Sequence, residues 1–114
     1  MIPVPAPPEP PSFHERVRCP GQLWLATHVT GRVRDFWHGA KDDLRAAFQD
    51  RCGYSAMWES NGEVEHYLSC NHPERPEHRR LAYEWSNLRY ATGWINKKKG
   101  NADAAVLDPF EVQD

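Results

Sequence analysis

Cysteines are few in this sequence, and no stretch of it stays apolar for long. The three cysteines, Cys19, Cys52 and Cys70, are too few and too scattered for a disulfide framework, and free thiols suit a reducing compartment. No apolar run approaches the ~20 residues that a membrane-spanning helix needs. Residues 1–5 also lack the charged start and apolar stretch of a signal peptide. We therefore expect a cytoplasmic protein with no membrane contact.

The chain also lacks a strong excess of either charge. Its 14 Lys and Arg residues stand against 16 Asp and Glu residues, a formal net charge of −2, which excludes a basic nucleic-acid coat protein. Any contact with nucleic acid must then come from a local basic patch or from a bound cation. Hydrophobic residues make up 39% of the chain and charged residues 26%, which is typical of a folded globular domain.

The 114 residues are enough for one small domain with one modest core. Six of the ten prolines fall within the first eleven residues, so residues 1–12 are predicted to form an extended arm. Such an arm can be a linker, a docking ligand, a strap packed on the domain or a flexible tail, and we expect the flexible tail. Residues 13–114 form the predicted domain, in which residues 13–33 are only weakly patterned.

Two segments of this domain have the apolar spacing of helices. In residues 34–50, apolar side chains recur every three or four positions and favour a scaffold helix that Asp35 caps. In residues 86–99, the same spacing favours a second helix, with Ser86 as its N-cap and Gly100 at its C-terminal end.

Between these helices, residues 54–68 have the pattern of a β-hairpin. Asn61 and Gly62 form a strong turn signal because both residues tolerate positive φ, and they separate a first arm at 54–59 from a second arm at 63–68. A hairpin followed by a helix is a ββα arrangement. The sequence therefore predicts a small α+β domain, with an additional helix before the ββα core.

Glu65 and His66 in the second arm, with Asn96 in the second helix, have the side chains that metal-assisted cleavage of a phosphodiester requires. That chemistry needs a base to activate water and a cation to stabilise charge on the phosphate and the leaving oxygen. His66 suits the base, because an unperturbed imidazole has a pKa of about 6.5 and accepts a proton near neutral pH. Glu65 offers a hard carboxylate oxygen to Mg²⁺ or Mn²⁺, and Asn96 offers a carbonyl oxygen.

The order of Glu65 and His66, then Asn87, then Asn96 resembles the HNH endonuclease family, whose core is the ββα-metal fold. The phrases Glu-Trp-Ser-Asn-Leu-Arg-Tyr at 84–90 and Asn-Lys-Lys-Lys-Gly at 96–100 look like one bacterial and phage branch of that family. The resemblance covers roughly residues 51–110. It implies that Glu65 and Asn96 bind a divalent cation, that His66 is the general base, and that Asn87 braces the loop and orients the histidine. The implied activity is metal-dependent hydrolysis of phosphodiester bonds in DNA, although the sequence does not separate DNA from RNA.

The chain departs from that branch at its zinc site. Many relatives carry two Cys-x-x-Cys knuckles that hold a structural zinc, one before the hairpin and one before the last asparagine. Here the first reads Cys-Gly-Tyr-Ser at 52–55 and the second reads Thr-Gly-Trp-Ile at 92–95, so one thiol of four remains. We therefore expect no structural zinc, and we expect core packing by Trp94 and Tyr54 to replace it.

Basic residues are concentrated near these positions. Between residues 75 and 100 there are seven basic and two acidic residues, a local charge of +5 in a chain of net −2. A patch of this kind grips phosphates and makes affinity salt-dependent. We expect Arg89, Lys97, Lys98 and Lys99 to contact the nucleic acid, and a protein partner could supply specificity.

Two functions remain open from the sequence. The first is a metal-dependent DNA endonuclease, for which loss of His66 should abolish cleavage. The second is a non-catalytic HNH-like module that binds a nucleic acid or a protein, which the missing knuckles favour. The second interpretation predicts binding that survives both EDTA and the loss of His66.

Overall fold

The protein is a small α+β domain, described by a computed structural model over residues 4–99 and 108–111. The helices are α1 (Cys19–Thr27), α2 (Lys41–Ala47) and α3 (Gly93–Lys99), and the strands are β1 (Glu63–His66) and β2 (Leu88–Ala91). A π-helical turn, His14–Arg18, leads into α1, and 3₁₀ turns span Trp37–Ala40, Pro76–Leu81, Trp85–Asn87 and Pro109–Glu111. No helix in this part of the chain has the length and apolar character needed to cross a membrane.

The two strands pair antiparallel, with Glu63 opposite Ala91 and His66 opposite Leu88. Every residue of β2 is buried. Tyr90 at its centre also holds the turn before β1, because its hydroxyl accepts a hydrogen bond from Gly62 N (2.7 Å) and donates one to the Glu59 carbonyl (2.6 Å). The sheet is therefore joined to the turn at the point where β1 begins.

The predicted hairpin at 54–68 is only half right. Its second arm contains β1, but residues 54–59 form no strand and make only an isolated bridge between Arg51 and Trp58. The partner of β1 is β2, which the sequence assigned to the helix at 86–99; only α3 at the end of that segment is helical. A strand that is buried along its whole length lacks the alternation of polar and apolar residues that distinguishes a strand from a helix.

The helices before the sheet also differ from the prediction. In place of one helix at 34–50, the 3₁₀ turn Trp37–Ala40 precedes α2, and Asp35 Oδ1 accepts the His38 N–H at 2.9 Å, as a cap does. The segment ends early because Gln49 and Asp50 have φ values of 55° and 59°, which a right-handed helix does not allow. The weakly patterned residues 13–33 contain α1, whose helical character the sequence did not indicate.

The proline-rich arm lies on the domain over residues 4–12, as a strap rather than as the flexible tail we expected. Val4 is buried, and its N–H donates to the Pro109 carbonyl at 3.4 Å. The Trp85 indole N–H donates to the Pro7 carbonyl at 2.9 Å, and Glu9 pairs with Arg18. The remaining residues of the arm, 1–3, lie outside the described residues.

Candidate functional site

A groove of about 570 Å³ lies between β1, α3 and the segment that leads into α2. Four of the predicted site residues line it: Glu65, His66, Asn96 and Lys97. Side chains from residues 32–41 and 69–71 complete its walls. The groove therefore brings the predicted base and both predicted metal ligands together from opposite ends of the ββα segment.

His66 ends β1 with its imidazole held on two sides. Its Nε2 lies 2.8 Å from the Ala82 carbonyl oxygen. Because a carbonyl can only accept, this contact assigns the proton to Nε2 and leaves the lone pair of the neutral ring on Nδ1. The Trp37 ring meets the imidazole edge to face, with ring centroids 4.4 Å apart. The ring is therefore fixed in the tautomer and orientation that a general base needs.

Glu65 is 1% exposed, so its carboxylate lies inside the wall of the groove. The Tyr54 hydroxyl donates a hydrogen bond to its Oε1. Burial raises the pKa of Tyr54 well above its usual range, and the charge and hydrogen bond of Glu65 raise it further, so the phenol keeps its proton. Partners of this kind orient a metal-binding carboxylate from behind. Tyr54 was predicted as a core residue, without any connection to the site.

Asn96 lies on α3, one turn after its start. Its backbone N–H donates to the Thr92 carbonyl at 3.1 Å, and its side-chain Nδ2 donates to Glu63 Oε2 at 3.2 Å. Glu63 lines the same groove, and no motif in the sequence points to it.

Asn87 is buried at the entrance to β2 and does not line the groove. Its Oδ1 accepts the Leu68 N–H at 2.9 Å, and its Nδ2 donates to the Leu68 carbonyl at 3.0 Å. Its own carbonyl accepts the Tyr67 N–H at 2.9 Å. These bonds tie the chain that follows His66 to the start of β2, which is the position from which a brace would act.

Arg89 is not available as a phosphate contact, contrary to our expectation. Its side chain is 4% exposed and forms two bonds with the Asp108 carboxylate, Nε to Oδ1 at 2.8 Å and Nη2 to Oδ2 at 2.7 Å. Its Nη1 donates to the carbonyls of Ser86 and Leu88, and the guanidinium lies 3.8 Å from the centroid of the Phe110 ring. Arg89 therefore belongs to the core.

The basic side chains that border the groove are Arg32, Lys41 and Lys97. Lys41 Nζ donates to Asn61 Oδ1 at 2.7 Å, which holds the ammonium beside the turn before β1. Of these three, only Lys97 was predicted from the sequence, because Arg32 and Lys41 come from a segment far from the motif. The side chains of Lys98 and Lys99 lie outside the described part of α3.

The oxygen donors of the groove suit a hard cation. Among the described residues, no three His, Cys, Asp or Glu side chains are grouped so as to hold a metal. The carboxylates that line the groove are those of Asp35, Glu63 and Glu65, and Asn96 adds a carboxamide. Mg²⁺ keeps several of its waters and is often held by one or two carboxylates, so these oxygen donors suit Mg²⁺ or Mn²⁺.

The two segments that correspond to the zinc knuckles, residues 52–55 and 92–95, lie close together at the thiol of Cys52. The Cys52 sulfur is buried, with the Ser55 hydroxyl and polar backbone groups of Tyr54, Ser55 and Thr92 in its surroundings. Burial alone would raise the pKa of Cys52, but these polar groups favour the thiolate and hold the pKa below its usual value. Trp94 is 59% exposed, so it does not fill the place of a zinc as we expected.

Comparisons of the chain with models of known protein families, with curated proteins and with solved structures found no match. The resemblance to the HNH family therefore rests on the residue pattern alone. What the structure adds is the order of the elements, β1, β2 and α3, and the groove at which Glu65, His66 and Asn96 meet.

Proposed function

We propose that this protein is a metal-dependent endonuclease of the HNH type that hydrolyses phosphodiester bonds in DNA. The observation that carries the proposal is the convergence of His66, Glu65 and Asn96 on one groove, although Asn96 follows the other two by a long loop and a second strand. The strand–strand–helix order supports a ββα-metal core. We also propose that the protein works in the cytoplasm, where its three free thiols would stay reduced.

His66 acts as the general base in this proposal. Its Nδ1 takes a proton from a water molecule, the water oxygen forms a bond to phosphorus, and the bond from phosphorus to the leaving oxygen breaks. The Ala82 carbonyl holds the Nε2 proton and stabilises the imidazolium that results. Trp37 keeps the ring from turning away.

Glu65 and Asn96 would hold the divalent cation. That cation supplies charge stabilisation for the phosphate and for the leaving oxygen. The Tyr54 hydroxyl keeps the Glu65 carboxylate in place, and Asn87 keeps the chain beyond His66 in place.

Basic side chains around the groove support a polyanionic substrate. Lys41, Arg32 and Lys97 border it, and we propose that they contact the backbone phosphates on either side of the scissile bond. Lys98 and Lys99 remain predicted contacts. Such contacts make affinity fall as the salt concentration rises.

The test is cleavage of supercoiled plasmid DNA with Mg²⁺, with Mn²⁺ and with EDTA, by the wild type and by His66→Ala. We expect metal-dependent nicking that His66→Ala abolishes. His14→Ala is the matched control, because His14 is exposed and lies outside the groove. Full activity in a folded His66→Ala variant would overturn the proposal. DNA binding that survives EDTA and the His66→Ala substitution, without cleavage, would indicate the non-catalytic module instead.

A further inference from the structure

We infer that Glu63 is a positioning residue that orients the carboxamide of Asn96 toward the cation. This inference rests on the proposed function, because it takes Asn96 as a metal ligand. It adds a residue that the motif does not include, and it explains what holds α3 against β1 at the groove.

The hydrogen bond between the two side chains selects one orientation of the amide. Asn96 Nδ2 lies 3.2 Å from Glu63 Oε2, and an ionised carboxylate can only accept. Glu63 therefore binds the NH₂ end of the carboxamide and turns the other end, Oδ1, away from itself. A hard cation binds the carbonyl oxygen of an amide, so the orientation that Glu63 selects presents the ligating atom.

The register of β1 places this contact beside the first metal ligand. Residues two apart on a strand point to the same face, so Glu63 and Glu65 share a face of β1. Glu65 is the buried member of the pair and Glu63 the exposed one. The Glu63 hydrogen bond therefore holds Asn96 beside the strand that carries Glu65, and all three residues line the same groove.

The start of α3 is shaped to admit the Glu63 carboxylate. A Cβ at Gly93 would lie 2.7 Å from Glu63 Oε1, closer than nonbonded atoms approach. Any side chain at position 93 would have to push the carboxylate aside. The glycine thus leaves the space in which Glu63 reaches across to α3 and Asn96.

Two simpler roles would also place a glutamate here. Glu63 could ligate the cation directly. Alternatively, it could act only through its negative charge in the groove, without any role for its hydrogen bond to Asn96. Glu63→Gln and Glu63→Ala remove the same charge, but only the glutamine keeps an oxygen that can accept the Asn96 amide. Their difference therefore isolates the hydrogen bond from the charge.

The experiment is calorimetric titration of the full chain with Mn²⁺, with circular dichroism as a check on folding. Because Glu63 is exposed, both variants should fold. We expect Glu63→Ala to bind Mn²⁺ about tenfold more weakly than Glu63→Gln, as is usual for the partner of a metal ligand. In an Asn96→Ala background, the two should bind equally, because Glu63 would have nothing left to orient. Glu15→Ala, at an exposed glutamate outside the groove, should bind as the wild type does.

The outcomes separate this inference from the proposed function. Equal Mn²⁺ affinity of Glu63→Ala and Glu63→Gln in the wild-type background would overturn the positioning role while leaving the metal site intact. A tenfold difference that persists in the Asn96→Ala background would overturn it as well, in favour of direct ligation. If the wild type itself bound no Mn²⁺, the metal site of the proposed function would fail, and the role of Glu63 with it.

Discussion

The ion pair between Arg89 and Asp108 gives the sharpest prediction for stability. The two side chains are 4% and 9% exposed and share two hydrogen bonds. Asp108 also accepts the Phe110 N–H at 3.0 Å, so the carboxylate joins the last described segment of the chain to β2. We predict that Asp108→Asn lowers the free energy of unfolding markedly.

The magnitude follows from what the substitution leaves behind. Removing one partner of a buried ion pair usually costs about 3–5 kcal/mol, because the other charge stays buried. Here Arg89 Nη1 still donates to two backbone carbonyls, at 2.8 and 2.9 Å, and an asparagine oxygen can still accept one hydrogen bond. We therefore expect the lower end of the range, about 3 kcal/mol. For a domain of this size, that loss corresponds to a fall in Tm of roughly 12 °C.

The effect should depend on pH in one direction. Burial alone would raise the pKa of Asp108, but the hydrogen bonds from Arg89 and Phe110 and the guanidinium charge hold that pKa below its usual value. A carboxyl whose pKa is lowered by folding stabilises the folded state fully above its unfolded pKa of about 3.9. That stability is lost as the pH falls through the lower, folded value. The difference between wild type and Asp108→Asn should therefore be constant near neutral pH and should shrink below about pH 4.

The assay is urea unfolding at several pH values. Asp50→Asn is the matched control, because Asp50 pairs with Arg45 at an exposed site and asparagine tolerates the positive φ found there. We expect little change in that control. If Asp108→Asn were as stable as the wild type at pH 7, Arg89 would not depend on Asp108. Phosphate binding by Arg89 would then have to be considered again.

Three further substitutions test the supports of the site. Tyr54→Phe removes the hydroxyl that holds the Glu65 carboxylate, the proposed metal ligand, so calorimetry should show Mn²⁺ affinity about tenfold lower. Because that buried carboxylate also loses a hydrogen bond, stability should fall by about 1–3 kcal/mol. Unchanged Mn²⁺ affinity would contradict that role. Asn87→Ala removes two side-chain hydrogen bonds to the Leu68 backbone. The Leu68 amide hydrogen should therefore exchange faster in NMR, and the free energy of unfolding should fall by about 1–3 kcal/mol. Unaltered exchange would argue against a bracing role for Asn87. Gly62→Ala places a Cβ 2.7 Å from the Ala91 carbonyl oxygen, which is closer than nonbonded atoms approach. Denaturant unfolding should therefore show that the free energy of unfolding falls by about 1–3 kcal/mol. Stability equal to that of the wild type would mean that the turn adapts.

Local signals were enough for part of the fold. A turn does precede β1 at Asn61, as predicted, although neither Asn61 nor Gly62 has the positive φ on which the prediction relied. Asp35 accepts a hydrogen bond from His38 three residues along, as a capping residue would, although Phe36 is the residue at the start of the 3₁₀ turn. By contrast, β2 is a strand because it pairs with β1 and packs against α2, and no pattern within residues 88–91 records those contacts.

The site shows the same division between local and long-range information. The residues whose type is tied to the chemistry, Glu65, His66 and Asn96, were predicted from the sequence and lie in one groove. Their supports were missed, because Tyr54 and Glu63 act through contacts with residues well separated along the chain. Side-chain type alone also misassigned Arg89, since an arginine reads as a surface cation until its buried partner is known.

The proline-rich arm illustrates a third limit. Proline content predicts an extended chain but does not reveal what that chain touches. The contacts of Val4 with Pro109 and of Pro7 with Trp85 join residues from opposite ends of the sequence. Such contacts depend on the finished fold.

The most direct test of the account is chemical rescue of His66→Ala by imidazole in a Mg²⁺-dependent cleavage assay. The Ala82 carbonyl and the Trp37 ring, which hold the imidazole of His66, would remain in place to hold the free base. We predict that the variant is inactive alone and that added imidazole restores part of the cleavage rate, increasingly so as the pH rises and more imidazole is unprotonated. Cleavage by His66→Ala at the wild-type rate without imidazole would contradict the account.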